Sequence, residues 1–185
     1  ATSPDDARRI ILDIAQRTGA RMAVKSKSMA TEEVHLNEAL EAAGVTPVET
    51  DLGEYIIQLA HERPSHIIAP AIHKTRGQVA ELFERELERP VTSEPETLTR
   101  VARAELREKF LRADLGISGA NFAVADTGTV VLVTNEGNGR MVTSLPRIHV
   151  AVMGMEKVVP SMTDLMVFLS ILAKSATGQK LSSYT

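Results

Sequence analysis

The amino-acid sequence predicts an α/β protein with a mostly parallel sheet that helices cover on both faces. Short apolar runs, such as residues 21–25, alternate with segments of helical apolar spacing, such as residues 31–43. Strands that are separated by helices pair in parallel through right-handed crossovers. The helices then bury both faces of the sheet.

The predicted elements follow in order along a single domain of residues 1–185. An N-terminal helix occupies residues 1–19, since Ser3 and Pro4 are typical of a helix start and Gly19 of a helix end. Strand and helix alternate through residues 20–88, with strands expected at 21–25, 45–49 and 65–69 and helices at 31–43, 52–62 and 74–87. A polar connector and one long amphipathic helix, residues 96–115, complete residues 89–115.

Residues 116–185 are predicted to hold a β-hairpin, a central strand and a C-terminal helix. Two apolar runs, residues 121–125 and 129–134, flank a short turn that contains Gly128, which is typical of a hairpin. The central strand is expected at 147–153 and the helix at 164–176. Residues 181–185 resemble the start of a further strand, so we expect the sequence to be a fragment of a longer chain.

Composition excludes several classes of function. A net charge of −3 gives no basic surface for nucleic acid, and no apolar run approaches the roughly 20 residues that a membrane-spanning helix requires. The chain has no cysteine, so it cannot form a disulfide or hold an iron–sulfur cluster by itself. The five histidines lack the spacing of a metal site, so no metal ligand is predicted, and His149 is expected to be a packed core residue. We expect a cytoplasmic protein without a nucleic-acid partner or a membrane span.

Ligands of parallel α/β sheets bind at the carboxyl ends of the strands, so the loops after the predicted strands are the first candidates for a site. Lys25, Lys27 and Ser28 follow the first strand, where ammonium and hydroxyl groups could bind the carboxylate or phosphate of a ligand. Solvated lysines beside a helix start are the alternative. His73 and Lys74 follow a later strand, and a histidine kept neutral by the adjacent cation could accept a proton from a hydroxyl group.

The segment between residues 116 and 140 supplies the second group of candidates. Its hydroxyl, amide and backbone N–H groups could hold an anion, and they belong to Ser118, Gly119, Asn121, Thr127, Gly128 and Thr129. Residues 126–129 also suit a simple hairpin turn. Glu136, Asn138 and Arg140 lie within five residues of one another, with glycines between them. Arg140 could pair with a carboxylate through two hydrogen bonds, or with Glu136 in an ion pair that stiffens the loop.

Several motifs together resemble one known family. They are KSKSMATEEVHLNEAL, ETDLGEYIIQLA, PSHIIAPAIHKTR, GISGANFAVADTGTVVLVTNEGNGRMVTSLPRIHVAVMGMEKVVP and SATGQKLSSYT. They are similar to the LUD (lactate utilisation) domain family, and within it to the iron–sulfur B subunits of three-protein lactate-utilisation systems. The resemblance extends over nearly the whole chain. It implies a three-layer α/β/α fold similar to the NagB/RpiA/CoA-transferase group, and it makes Glu33 and His35 of the TEEVH motif candidates for substrate binding.

The resemblance also implies a part in oxidising L-lactate to pyruvate. The chain would bind a small carboxylate or the other subunits of the complex, and iron–sulfur clusters outside the chain would carry the electrons, because such subunits carry a ferredoxin-like cysteine module that is missing here. The isolated domain is then expected to be inactive, and the sequence leaves a homo-oligomer open. The alternative is a stand-alone enzyme of the isomerase or CoA-transferase type with Glu136 or Asp126 as base or nucleophile, and a purely structural role is a third hypothesis.

Overall fold

The computed structural model describes residues 1–65, 69–134 and 137–180, in which strands and helices alternate for most of the length. The strands are β1 (Met22–Lys25), β2 (Thr46–Glu49), β3 (Leu115–Gly119), β4 (Phe122–Val124), β5 (Thr129–Val131), β6 (Ile148–Val152) and β7 (Val158–Val159). The helices are α1 (Pro4–Thr18), α2 (Met29–Glu33), α3 (Leu36–Ala42), α4 (Leu52–Ala60), α5 (Arg76–Leu87), α6 (Pro95–Arg112), α7 (Asn138–Ser144) and α8 (Met162–Thr177), with a 3-10 turn at Met155–Lys157. Among the helices of these residues, none combines the length and the apolar character that crossing a bilayer requires.

Four of the described strands form a parallel sheet in the order β2-β1-β3-β6. Side chains alternate between the two faces of a strand, and β1 shows the consequence. Val24 packs into a core with Tyr55 of α4 and Phe83 of α5, whereas Ala23 packs into a second core with Ile11 of α1. Helices therefore cover both faces of the sheet, and the predicted α/β fold with a mostly parallel sheet is confirmed.

A second, smaller sheet confirms the predicted hairpin. Strands β4 and β5 pair antiparallel, and β7 pairs parallel to β4 on its other side. Helix α8 packs on this sheet, where Leu165 joins Val124 and Val159 in a small core and the rings of Phe122 and Phe168 lie 5.4 Å apart. In the described residues, the hairpin therefore belongs to a separate small sheet and does not pair with the main sheet.

The prediction was wrong for two segments beside the hairpin. Residues 115–119 form β3, the strand between β1 and β6, although the long helix was expected to extend to residue 115 and no strand was expected before residue 121. Residues 138–144 form α7 instead of a loop. The two elements are in close contact, because a Cβ on Gly116 would lie 2.0 Å from the carbonyl oxygen of Val142. The glycine is in the strand because α7 crosses it at backbone contact distance.

Two further predictions differ from the structure. The helix expected at 31–43 is divided into α2 and α3, because His35 adopts a left-handed conformation with φ of 51°. Strand β6 was expected to be central, yet among the described residues it pairs with β3 and lies at the sheet edge. The strand predicted at 65–69 falls mostly on residues 66–68, and the strand start predicted at 181–185 falls on the last five residues. Both lie outside the described residues.

We predict that Gly116→Ala destabilises the protein by roughly 3 kcal/mol or more, at the upper end of what overpacking costs, because the new methyl group meets a backbone carbonyl that cannot move alone. Urea unfolding followed by circular dichroism measures the change. Gly77→Ala is the matched control, since a Cβ at this exposed position in α5 meets the Thr75 hydroxyl at 4.0 Å, an ordinary contact distance, and its stability should be unchanged or slightly higher. Equal stability of the two variants would contradict the assigned packing of α7 on β3.

Candidate functional site

The carboxyl ends of β1, β3 and β6 meet at one edge of the main sheet, and a cleft of about 470 Å³ opens there. We call it the carboxyl-edge cleft. Its walls come from the loops that follow these three strands, from residues 132–134 after the hairpin and from the start of α7. This is the position where parallel α/β sheets bind their ligands.

Six of the residues predicted for the site line the carboxyl-edge cleft, and they come from three separate parts of the sequence. They are Lys27, Ser28, Glu33, Gly119, Asn121 and Asn138. Gly119 lets two of these parts approach, since a Cβ there would lie 2.7 Å from Ser28 Oγ. In the described residues, the Ser28 hydroxyl makes no capping hydrogen bond although Ser28 precedes α2, so it can serve a ligand.

Lys27 supplies a positive charge to the wall of the carboxyl-edge cleft. Its Nζ lies 3.4 Å from Glu54 Oε1, and 23% of its side chain is exposed. The Nζ atom itself is buried, and no hydrogen-bond partner for it exists among the described residues. An ammonium group that is buried without hydrogen bonds is costly, so this cation is poised to accept an anionic partner.

Glu54 is the buried partner of Lys27. It lies in the first turn of α4 with 6% of the residue exposed. Burial, followed by the negative charge of Glu32, raises the pKa of Glu54 to about 6, although the charge of Lys27 opposes the rise. Burial together with the charge of Glu49 also raises the pKa of Glu32. A proton on Glu54 is therefore lost close to neutral pH.

Lys25 has a different role from Lys27, although both were predicted to bind substrate. It is the last residue of β1, is 1% exposed, and donates hydrogen bonds from Nζ to Glu49 Oε1 at 2.6 Å and to Asn37 Oδ1 at 2.5 Å. Asn37 Nδ2 donates to the same Glu49 oxygen at 2.8 Å. The charge of Lys25 is thus satisfied inside the protein.

A second depression is lined in part by this hydrogen-bonded group of Lys25, Asn37 and Glu49, and we call it the acidic depression. Its walls include Lys25, Glu32, His35, Glu49 and Glu54. The predicted His35 therefore faces a different space from Lys27. Its side chain is 72% exposed, and its Nδ1 lies 3.6 Å from Glu38 Oε1.

The residues of the hairpin turn lie away from the carboxyl-edge cleft. Gly128 has a left-handed φ of 68°, and the hydroxyl groups of Thr127 and Thr129 lie 2.8 Å apart. Asp126 donates its backbone N–H to the carbonyl of Pro160. These contacts agree with the alternative interpretation of residues 126–129 as a turn that stabilises the hairpin.

His73 and Lys74 also lie outside the cleft, and both bind one carboxylate. Lys74 Nζ is 2.7 Å from Glu62 Oε1, and His73 Nε2 is 2.8 Å from Glu62 Oε2. The hydrogen bonds from Lys74 and His73 lower the pKa of Glu62. The second nitrogen of His73 lies 2.8 Å from Ser65 Oγ, so the residue is engaged on both sides.

The remaining predicted residues are divided between buried, exposed and undescribed positions. Ser118 is fully buried, and its hydroxyl lies 2.8 Å from His149 Nε2. The expectation that His149 is a core residue was wrong, because the side chain lies on the exposed edge strand β6. Arg140 is exposed on α7 and does not line the cleft, while Glu136 lies outside the described residues.

Sequence reasoning missed part of the cleft wall. Thr134, Gly154, Glu156 and Lys157 all line it. The rule that directed attention to the loop after β1 also applies to the loop after β6, where Lys157 provides a second cation. Over residues 1–65, 69–134 and 137–180, the side chains form no group of histidine and carboxylate residues that could hold a metal ion.

The fold and the cleft define an α/β protein whose polar site lies at the carboxyl ends of parallel strands. Within this class the chain belongs to the LUD domain family, because the family model matches residues 1–185. The resemblance of the motifs is thereby confirmed.

Relatives at about half identity share this domain. The chain is 53% identical over 185 residues to lactate utilization protein B of Bacillus subtilis (strain 168). It is 50% identical over 184 residues to a protein of Escherichia coli (strain K12) named uncharacterized electron transport protein YkgF. Each match covers 100% of this chain and 39% of the relative, so the chain spans about two fifths of the length of these relatives. No solved structure matches the chain.

We predict that the stability of Glu54→Gln relative to the wild-type protein is higher at pH 7.5 than near pH 4, by up to roughly 2 kcal/mol. The pKa of Glu54 rises from an ordinary value of 4.5 to about 6 on folding, so the ionised form is disfavoured in the folded state. That cost is fully present above pH 6 and is lost as the pH falls through 6 towards 4.5. Urea unfolding of both proteins at the two pH values measures it.

Glu62→Gln is the control for this measurement. The pKa of Glu62 is lowered rather than raised, so removing its charge should give no stabilisation at pH 7.5. A stability difference for Glu54→Gln that is the same at both pH values would show that Glu54 titrates normally.

Proposed function

We propose that this chain is the small-carboxylate-binding domain of a lactate-utilisation protein, which takes part in a complex that oxidises L-lactate to pyruvate. The observation that carries the proposal is Lys27, whose side chain lines the carboxyl-edge cleft and whose buried ammonium group has no hydrogen-bond partner among the described residues, in a chain of the LUD domain family. The names of the relatives, a lactate utilization protein and an electron transport protein, support this direction. We propose that residues 1–185 act as one domain and that the complex is cytoplasmic.

The chemistry of the cleft suits L-lactate and pyruvate. Both carry a carboxylate beside a hydroxyl or carbonyl oxygen, so a binding site needs a cation and neutral hydrogen-bonding groups within a few ångströms. Lys27 can bind the carboxylate, and the Ser28 hydroxyl can donate to the second oxygen. The amide of Asn121 is held in place because its Oδ1 accepts a hydrogen bond from the Val133 N–H at 2.7 Å. A site fixed in this way binds a ligand with little loss of side-chain entropy.

Electron transfer is assigned to groups outside this chain. Iron–sulfur clusters are held by cysteine thiolates, and the chain contains none, so its residues do not fit such a cluster. We propose that the clusters belong to other parts of a longer protein or to the other subunits of the complex. In this arrangement the present chain binds and orients the substrate or its partner subunits.

The alternative of a stand-alone isomerase or CoA-transferase receives no support from the geometry. It was expected to use Asp126 or Glu136 as base or nucleophile. Asp126 lies in the hairpin turn outside the carboxyl-edge cleft, and Glu136 is outside the described residues. No other observation favours this function over the first.

We predict that Lys27→Met weakens the binding of pyruvate and L-lactate about 10-fold to 100-fold, which is the loss expected for one charge-assisted hydrogen bond. Isothermal titration calorimetry measures both affinities. Lys174→Met removes an exposed cation on α8 outside the cleft and should leave both unchanged. Unchanged binding in Lys27→Met would exclude the cleft as the site, and a loss in Arg140→Ala would extend the site to α7.

We predict that the isolated chain does not oxidise L-lactate with an artificial electron acceptor, because it lacks the thiolates that would hold an iron–sulfur cluster. A spectrophotometric assay of acceptor reduction tests this. The longer protein, assayed with its partner subunits in the same mixture, is the positive control. Lactate-dependent reduction by the isolated chain above the protein-free blank would contradict the assignment of electron transfer to other parts of the system.

A further inference from the structure

The ion pair of Lys27 and Glu54 forms part of the wall between two spaces in the protein. Lys27 lines the carboxyl-edge cleft, whereas Glu54 lines the acidic depression. The two charged atoms are 3.4 Å apart, yet Lys27 Nζ makes no hydrogen bond to any described residue. A cation held by a 3.4 Å ion pair without a well-formed hydrogen bond can turn towards a better partner. Anything negative that enters the cleft therefore competes with Glu54 for Lys27.

Glu54 has little else to neutralise it. Glu32 of α2 and Glu49 of β2 face it with negative charges, and Lys27 is the cation whose charge opposes them. Lys25 lines the same depression as Glu54, but its ammonium group is hydrogen-bonded to Glu49 and Asn37. On its own helix, Asp51 caps the first turn and adds no positive charge. The loss of Lys27 would leave Glu54 among carboxylates.

We propose that a small carboxylate which binds to Lys27 in the carboxyl-edge cleft causes Glu54 to take up one proton from the acidic depression. The proposal rests on the proposed function, since its ligand is the same small carboxylate. The carboxylate forms a hydrogen-bonded ion pair with the Lys27 ammonium group, and Glu54 gains a proton from solvent in place of its cation. The net charge of the site therefore stays nearly constant when the anion enters.

The direction of the pH dependence follows from the charges. A bound anion adds negative charge, and the turned Lys27 removes positive charge, so both changes raise the pKa of Glu54 above its value of about 6 in the free protein. The ligand then binds best when Glu54 is already protonated. Affinity is expected to be highest below pH 6 and to fall as the pH rises, by up to about tenfold per pH unit, until the pKa of the bound state is passed.

Calorimetry with pyruvate measures the proton directly, because the carboxyl group of pyruvate stays ionised throughout this range. Titrations at pH 7.0 in MOPS and in imidazole, whose ionisation enthalpies differ, give the number of protons taken up per ligand. With a pKa of about 6, Glu54 is about nine-tenths ionised at pH 7 in the free protein, so uptake is expected to lie between about half a proton and one proton.

Single substitutions test whether Glu54 or a neighbouring carboxylate takes up the proton. Glu54→Gln should bind pyruvate with no net proton uptake and with the same affinity from pH 6 to pH 8. Glu62→Gln is the matched control, since Glu62 also lines the acidic depression but is bound by Lys74 and His73, and it should keep the wild-type uptake. Glu32→Gln should keep an uptake, although a smaller one than the wild-type protein, because the negative charge of Glu32 raises the pKa of Glu54.

Each outcome decides the proposal. Absence of pyruvate binding would overturn both the proposed function and the proton coupling. Binding without uptake, or uptake that survives in Glu54→Gln and disappears in Glu32→Gln, would overturn the coupling and leave the binding function standing. A measurement without ligand gives an independent check, because Lys27→Met should raise the pKa of Glu54 in a carboxyl NMR titration, and an unchanged pKa would also overturn the coupling.

Discussion

The buried ion pair between Lys25 and Glu49 is the interaction on which the arrangement of the site depends. The two residues are register partners at the carboxyl ends of β1 and β2, and Asn37 of α3 bonds to both. A slip of the two strands by one residue would separate two buried charges, which costs several kcal/mol. The pair therefore fixes where β1 ends and where the following loop begins. Lys27 reaches the cleft because it lies two residues beyond this fixed point.

The same arrangement gives two similar lysines opposite roles. Lys25 is hydrogen-bonded on the inside of the protein, and its removal would leave Glu49 as an unpaired buried charge. Lys27 has only a loose contact with Glu54 and retains an exposed fraction on the cleft wall. The difference in burial and hydrogen bonding makes Lys25 a structural residue and Lys27 a candidate ligand residue. The backbone supports the division, since Thr50 Oγ1 donates to the Lys25 carbonyl at 2.7 Å and holds the strand end in place.

The sequence predicted the parts of the molecule that depend on local periodicity and failed where tertiary contact decides. Alternating strands and helices, the hairpin and the position of a cleft at strand ends all follow from patterns within a few residues. Strand β3 was missed because its Gly116 is explained only by the approach of Val142, which is distant in sequence. The separation of α2 from α3 at His35 and the different contacts of Lys25 and Lys27 likewise depend on spatial neighbours that the sequence does not reveal. Family motifs could not supply these contacts, because a motif records residue types and not their partners.

Glu54 is the feature of this site that stability alone does not explain. A carboxylate buried beside Glu32 and Glu49 disfavours the folded state at neutral pH, and a glutamine of the same shape would avoid this cost. Proteins tolerate such groups most often at functional sites, where a titration near neutral pH can be used. The Lys27–Glu54 pair here lies between the carboxyl-edge cleft, which Lys27 lines, and the acidic depression, which Glu54 lines. We therefore infer from the position of Glu54, and not from its charge alone, that its proton takes part in ligand binding.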